Sequence, residues 1–244
     1  MTTPAPEPNR PHLHIAPAEV KLDLIPQDWA LTPLRGKRAY TPGWPSSPSS
    51  LEEVKREFEE GATGVGLMTG QWSNEGGLIW VDIDGPKAIP ELEERAGGPL
   101  DSIFPRTLTI SSGKEGRQRM LFSVPSSKIP LLPDKATIKI GVPSFEILWR
   151  SRYGALMGPH PDTEGYFTTP HGGFEHAKNP PELPEWLFEE IQKAFPTNKY
   201  RKPVKRSGHS THQHFLRRGI GISARGDDCR SENLPRALKS RPLL

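Results

Sequence analysis

The chain has one cysteine, Cys229, in 244 residues. A lone thiol excludes an internal disulfide framework and a cysteine-based zinc site, and it fits a reducing compartment. No apolar run approaches the ~20 residues that a membrane-crossing helix needs. The opening stretch, MTTPAPEPNRPHLHIAP, is rich in proline and lacks the apolar core of a secretion signal. Together these absences predict a soluble, cytoplasmic protein. Tyrosine and methionine are scarce at four each, whereas proline reaches 28, phenylalanine nine and tryptophan six. Such a composition can build one substantial core with long loops between its elements.

The small formal charge of +3 conceals a split. From Arg201 onward there are eleven Lys/Arg against three Asp/Glu, a net +8, which leaves −5 for residues 1–200. The basic end (RKPVKRSGHSTHQHFLRRG at its start) has little apolar content and no clear helical or strand period. That pattern reads as a disordered segment suited to nucleic acid phosphates; a solubilising linker or the start of a further domain are the alternatives. The organisation that follows is a flexible Pro-rich N-terminus over 1–17, a folded domain over 18–198 and a basic, disordered tail over 199–244.

Within the folded part, WALTPL (29–34) predicts a short strand running into a Gly-Lys turn. SSLEEVKREFEEG predicts a helix: a serine cap at Ser49 or Ser50, acids in the first turn, Leu51, Val54 and Phe58 on one face, and Gly61 as the stop. GVGLMTG and GLIWVDID read as strands, and PKAIPELEERAG as a helix entered through proline. TLTISSG, RQRMLFSV, FEILW, RYGALMG and GYFTTP read as further short strands, with LPEWLFEEIQKAF as a closing helix. This order implies an α+β or α/β sandwich with at least one central sheet.

Two aspartates end the apolar run GLIWVDIDGP (77–86). On a strand, Asp82 and Asp84 share one face while Val81 and Ile83 point to the other. Carboxylates that close repel, so a cation lies between them, one is protonated, or both are solvated. A third acid, Glu146 in SFEILW, sits between apolar neighbours, where an uncompensated charge is costly. If its strand lies beside the first, the three oxygen donors suit Mg²⁺ or Mn²⁺. An Asp-x-Asp also occurs in sugar-nucleotide transferases and at plain solvated strand ends, so the pair alone leaves the chemistry open.

Read in order, PLRGKRAYTPGW (33–44), GVGLMTG (64–70), LIWVDIDG (78–85), ISSGKEGRQRMLF (110–122) and FEILWRSRYGALMGPHPDTEGYF (145–167) resemble the Prim-Pol family, the bifunctional primase/polymerase domains of the archaeo-eukaryotic primase superfamily. The resemblance spans about residues 18–195. It implies an α+β fold with a primase-like core, an N-terminal α/β unit packed on an RRM-like mixed sheet, and a site in the cleft between them. It implies a template-dependent DNA primase/polymerase that joins nucleoside triphosphates on single-stranded DNA with two divalent ions, Mg²⁺ or Mn²⁺. Such domains commonly serve replication of plasmids, phages and other mobile elements, often joined to a helicase.

Carried over by motif, the resemblance makes Asp82, Asp84 and Glu146 the metal ligands and catalytic acids. It assigns nucleotide binding to Ser112, Gly113, Arg117, Arg119, His160 and Lys37. The chain departs from the family at Arg119, which stands where the family's second motif has histidine. Arginine can bind phosphate bidentately but cannot donate a proton near neutral pH. Ala39 replaces a proline after Lys37, and Met157 and Gly158 replace the Pro-Ser before His160. The Gly-rich loop around Lys114, Gly116 and Arg117 suits phosphates, or is simply a hairpin turn. Trp44, Trp72, Trp149 and Tyr166 are candidates for stacking on bases, with core or loop anchoring the commoner use of such residues; Trp80 and Trp186 are candidates for the core, and Thr69 and Gly70 for shaping the pocket backbone. A catalytically weakened nucleic-acid-binding module is the alternative that the Arg119 departure favours. An unrelated sugar-nucleotide transferase is disfavoured by Glu146 and PHPDTEGY.

Overall fold

The structure is a computed structural model that describes residues 21–71 and 75–196. The expected flexible N-terminus over 1–17, the basic tail from 199, Trp72 and Cys229 lie outside the described residues.

Among the described residues, fifteen α-helices and β-strands follow one another in the order β1 (Leu31–Arg35), β2 (Arg38–Ala39), α1 (Leu51–Glu59), β3 (Gly64–Met68), β4 (Gly70–Gln71), β5 (Gly76–Asp84), α2 (Ala88–Ala96), α3 (Leu100–Ile103), β6 (Thr109–Ser111), β7 (Arg117–Pro125), β8 (Thr137–Ile138), β9 (Phe145–Leu148), β10 (Tyr153–Met157), β11 (Phe167–Thr168) and α4 (Glu185–Ala194). The fold is α+β. A four-stranded sheet runs β10-β3-β1-β2, and a seven-stranded sheet runs β11-β6-β7-β5-β9-β8, with β4 also on β5.

Both sheets are antiparallel in all their strand pairs. This corrects the expectation of a mixed sheet: among the described residues the one parallel pairing is an isolated bridge between Ser123 and Glu182. The reason lies in the connections. The turn from β6 to β7 is a hairpin, which returns the chain antiparallel, whereas parallel neighbours need a long crossover.

Local chemistry explains the helices. Ser50 accepts from the Glu53 amide, and the Glu53 carboxylate accepts from the Ser50 amide at 2.7 Å, a reciprocal cap that fixes the start of α1. Gly97, left-handed at φ 75°, ends α2. No helix among the described residues is long and apolar enough to cross a membrane.

The large sheet is apolar on both faces, and each face has its own core. Ile79, Val81 and Ile83 of β5, with Met120 and Phe122 of β7 and Ile147 of β9, pack with Leu92 of α2 and Leu187 and Ile191 of α4. On the reverse face Trp80, Leu121 and Leu148 pack with Leu31, Val65, Leu67 and Leu156 of the small sheet and Val54 of α1. Trp80 is fully buried and donates its indole N–H to the Leu67 carbonyl at 3.3 Å, tying one sheet to the other. The alternation of β5 therefore assigns Val81 and Ile83 to the helix side. Asp82 and Asp84 go to the side that meets the small sheet.

Candidate active site

Register brings the acids together. In the pairing of β5 with β9, Asp82 lies directly opposite Glu146. In the pairing of β5 with β7, Asp82 lies opposite Arg119 and Asp84 opposite Arg117. Directly opposed residues on antiparallel strands project from the same face, with Cα atoms about 4.5–5.5 Å apart. Glu146, Asp82 and Arg119 thus form one row across three strands, and Asp84 and Arg117 form the next row toward the strand end.

Each carboxylate faces a cation. Arg119 Nη2 donates to Asp82 Oδ2 at 2.7 Å, in a pair whose side chains are only 21% and 11% exposed. Arg117 Nη1 stands 3.9 Å from Asp84 Oδ1, and Lys139 Nζ lies 2.6 Å from Glu146 Oε1. Burial works against the charge on Arg119, but the Asp82 carboxylate, with Tyr166 and Asp84 behind it, offsets this, and the guanidinium pKa stands above its ordinary value. Burial first, and the Asp82 carboxylate second, push the Asp84 carboxyl up from the usual aspartate range.

As these side chains are oriented, no three His, Cys, Asp or Glu among the described residues converge to hold an ion. The donor set still fits one. Asp82, Asp84 and Glu146 share one sheet face, and hard cations take oxygen ligands.

Next to this row the two sheets part into a cleft of about 430 Å³. Arg119 and Glu146 line its floor, joined by Lys37, Arg152, Trp44, Tyr153 and Tyr166. Trp44 meets Tyr153 edge-on at 5.0 Å. The Tyr153 hydroxyl donates to the Lys37 carbonyl at 2.9 Å and accepts from the Ala39 amide at 3.2 Å, which fixes the turn that carries Lys37. Thr69 is buried and donates to the carbonyls of Trp149 and Arg152, both at 3.1 Å, so it holds the segment that presents Arg152. Gly154 lets the sheets approach: a Cβ there would lie 2.6 Å from Trp80 Nε1 and 2.7 Å from Arg119 Cδ.

The Gly-rich loop is the hairpin turn between β6 and β7. Ser111 rather than Ser112 builds it, donating to the Arg117 carbonyl at 2.8 Å and accepting from the Gly113 amide at 3.1 Å. Gly116 has φ 65°, and a Cβ on it would come within 2.5 Å of the Pro86 nitrogen, so only glycine lets this turn lie against the segment following Asp84. Lys114 Nζ reaches Asp162 Oδ2 at 2.6 Å and joins the turn to the loop bearing His160. His160 stands edge-on to Tyr166 at 5.5 Å and accepts from the Asp162 amide at 3.2 Å.

Burial, and then the Lys114 charge with Lys37 and Arg117 behind it, hold the His160 pKa below its ordinary value. The sign follows: with a depressed folded-state pKa, the stability His160 contributes is whole above pH ~6.5 and is lost as pH falls through the folded-state value. NMR titration of the His160 ring is expected to give a midpoint below 6.5. Lys114→Ala should raise that midpoint, and no movement would remove Lys114 as a cause.

Of the aromatic candidates, Trp44 and Tyr166 line the cleft. Trp149 does not stack on anything in solvent: it is fully buried in the helix-side core. Trp80 is core as expected, while Trp186 is half-buried, edge-on to Phe104, with its N–H on the Ile103 carbonyl. Sequence reasoning missed Arg152, Tyr153 and Lys139. For the first two a signal exists, since the small pair Gly154-Ala155 that follows marks a close approach of backbones beside which larger side chains must project.

The family model described as bifunctional DNA primase/polymerase, N-terminal (Prim-Pol), matches residues 21–186. No curated protein matches the chain.

Proposed function

The chain belongs to the Prim-Pol family, and from that premise we propose a template-dependent nucleotidyltransferase that joins ribo- or deoxyribonucleoside triphosphates on single-stranded DNA with two divalent cations, Mg²⁺ or Mn²⁺. The observation that carries the reading is the row Glu146–Asp82, with Asp84 beside it, next to a cationic and aromatic cleft that Glu146 and Arg119 line. Asp82, Asp84 and Glu146 would hold the cations, which when bound lower the pKa of a primer 3′-hydroxyl and neutralise triphosphate charge.

The chain's own groups supply the rest. Lys37 and Arg152 place positive charge on the cleft walls for phosphate oxygens, and Arg117 and the Gly113 turn extend it toward Asp84. His160 is kept mostly neutral at pH 7, so it meets an anion as a hydrogen-bonding ring. Trp44, Tyr153 and Tyr166 offer π-faces and edges to a base, a sequence-tolerant contact that suits a template-directed reaction. In this reading the small sheet with α1 is the N-terminal α/β unit, the large sheet is the RRM-like half of a primase-like core, and residues 18–198 are the catalytic domain. The basic tail adds phosphate contacts. Replication of a mobile element in the cytoplasm, beside or joined to a helicase, is the setting that the family suggests.

The Arg119–Asp82 pair favours one second reading, a catalytically weakened module that binds DNA without priming. Incubation with Mn²⁺, labelled nucleotides and single-stranded template separates the two. Product on unprimed template is expected for a primase, and on primed template alone for a polymerase. DNA binding with no product on either overturns the enzyme reading and leaves the module.

A further inference from the structure

We propose that Arg119 is a built-in counter-ion standing in for a metal at Asp82, so that cation binding and release of Arg119 are one event. The inference rests on Asp82 being a metal ligand, as proposed above.

The three acid–base pairs at the site are not alike. Asp84 and Arg117 are 3.9 Å apart with 45% and 43% of their side chains exposed, and Lys139 beside Glu146 is 68% exposed, so water and ions compete freely for both pairs. The Arg119–Asp82 pair alone combines a short contact, shielding of both partners and a place fixed by strand register. The Arg119 stem lies over Gly154, whose missing side chain leaves room for its Cδ. A guanidinium cannot be discharged at any working pH. Asp82 can therefore take a divalent ion only by giving up or sharing a fixed positive charge, which the other two acids need not do.

The second half follows from where Arg119 sits. It already lines the cleft. Once released it presents a full donor fork there, matched to phosphate oxygens. Its buried Nε has no hydrogen-bond partner among the described residues, so the guanidinium is not fully engaged by Asp82 alone. Cation and nucleotide then favour each other's binding, since each removes part of what opposes the other.

Binding of Mn²⁺ to the full chain, read as loss of the free-ion EPR signal without any turnover, tests this. Arg119→Gln is expected to bind Mn²⁺ about tenfold tighter than the unchanged chain, the effect of removing a competing charged hydrogen bond. Arg119→Lys should fall between. If Asp82→Asn leaves Mn²⁺ affinity unaltered, the metal assignment fails and takes the inference with it. If Asp82→Asn weakens binding while Arg119→Gln binds no tighter, only the counter-ion role is overturned. The unchanged chain gives a readout that needs no folded Gln variant: Mg²⁺ should shift the Arg119 guanidinium NMR resonances, assigned by their loss in Arg119→Lys. Bound Mg²⁺ with those resonances unmoved would also overturn it.

Discussion

Asp82→Ala is expected to lower nucleotide incorporation about a thousandfold, the scale on which removal of one preorganised electrostatic group acts in such sites. The substitution takes away the acid at the centre of the row, opposite both Glu146 and Arg119. It also leaves the shielded Arg119 guanidinium without its carboxylate, at a stability cost of about 1–3 kcal/mol. The two effects are separable. Asp82→Asn keeps the shape and one acceptor for Arg119, so it should recover most of the stability and little of the activity. Primer extension measured beside urea unfolding checks this, and normal extension by a folded Asp82→Ala protein would sink the assignment of the acids.

The largest effect on stability is expected at Trp80. Trp80→Ala removes a fully buried indole from between the sheets together with its hydrogen bond to the Leu67 carbonyl. Cavity formation of this size costs about 3–5 kcal/mol. Because Trp80 is two residues from Asp82 on the same face, and its indole lies against the gap at Gly154 beside Arg119, the surviving folded fraction should also lose order in the acidic row. Trp186→Ala is the comparison, since that ring is only half-buried on the helix side and its loss should be milder and leave the row intact. Urea midpoints read both. A loss under about 1 kcal/mol at Trp80 would contradict its place between the sheets.

How much of this was legible in the chain differs by element. The cap of α1 was, because Ser50 and Glu53 act within four residues of each other. So was the sidedness of Asp82 and Asp84, which the period of a strand fixes without reference to any partner. The pairings were not. Nothing local in VDID or in FEIL says that Asp82 meets Glu146 on one side and Arg119 on the other, because register is set by long-range packing of both faces. Lys139 was invisible for the same reason. Of the four two-residue strands, β11 lies within GYFTTP, whereas β2, β4 and β8 are too short to carry an alternating signal. Trp149 was left open between stacking and core, because an aromatic at a strand end reads alike whether helices cover it or water does, and the structure settles it as core. The basic loop declared its glycines but not its architect, since Ser111 and Ser112 are neighbours of the same type.

The double-sided sheet has a practical consequence for anyone who wishes to toughen this protein. Its helix-covered layer, with Phe122, Ile147, Leu187 and Ile191, is separated from the acidic row by the sheet itself. Volume-conserving repacking there can raise the melting temperature while the chemistry-bearing side keeps its spacing. Any change to the inter-sheet layer alters robustness and turnover together. The molecule thus offers one layer as ballast and reserves the other for work.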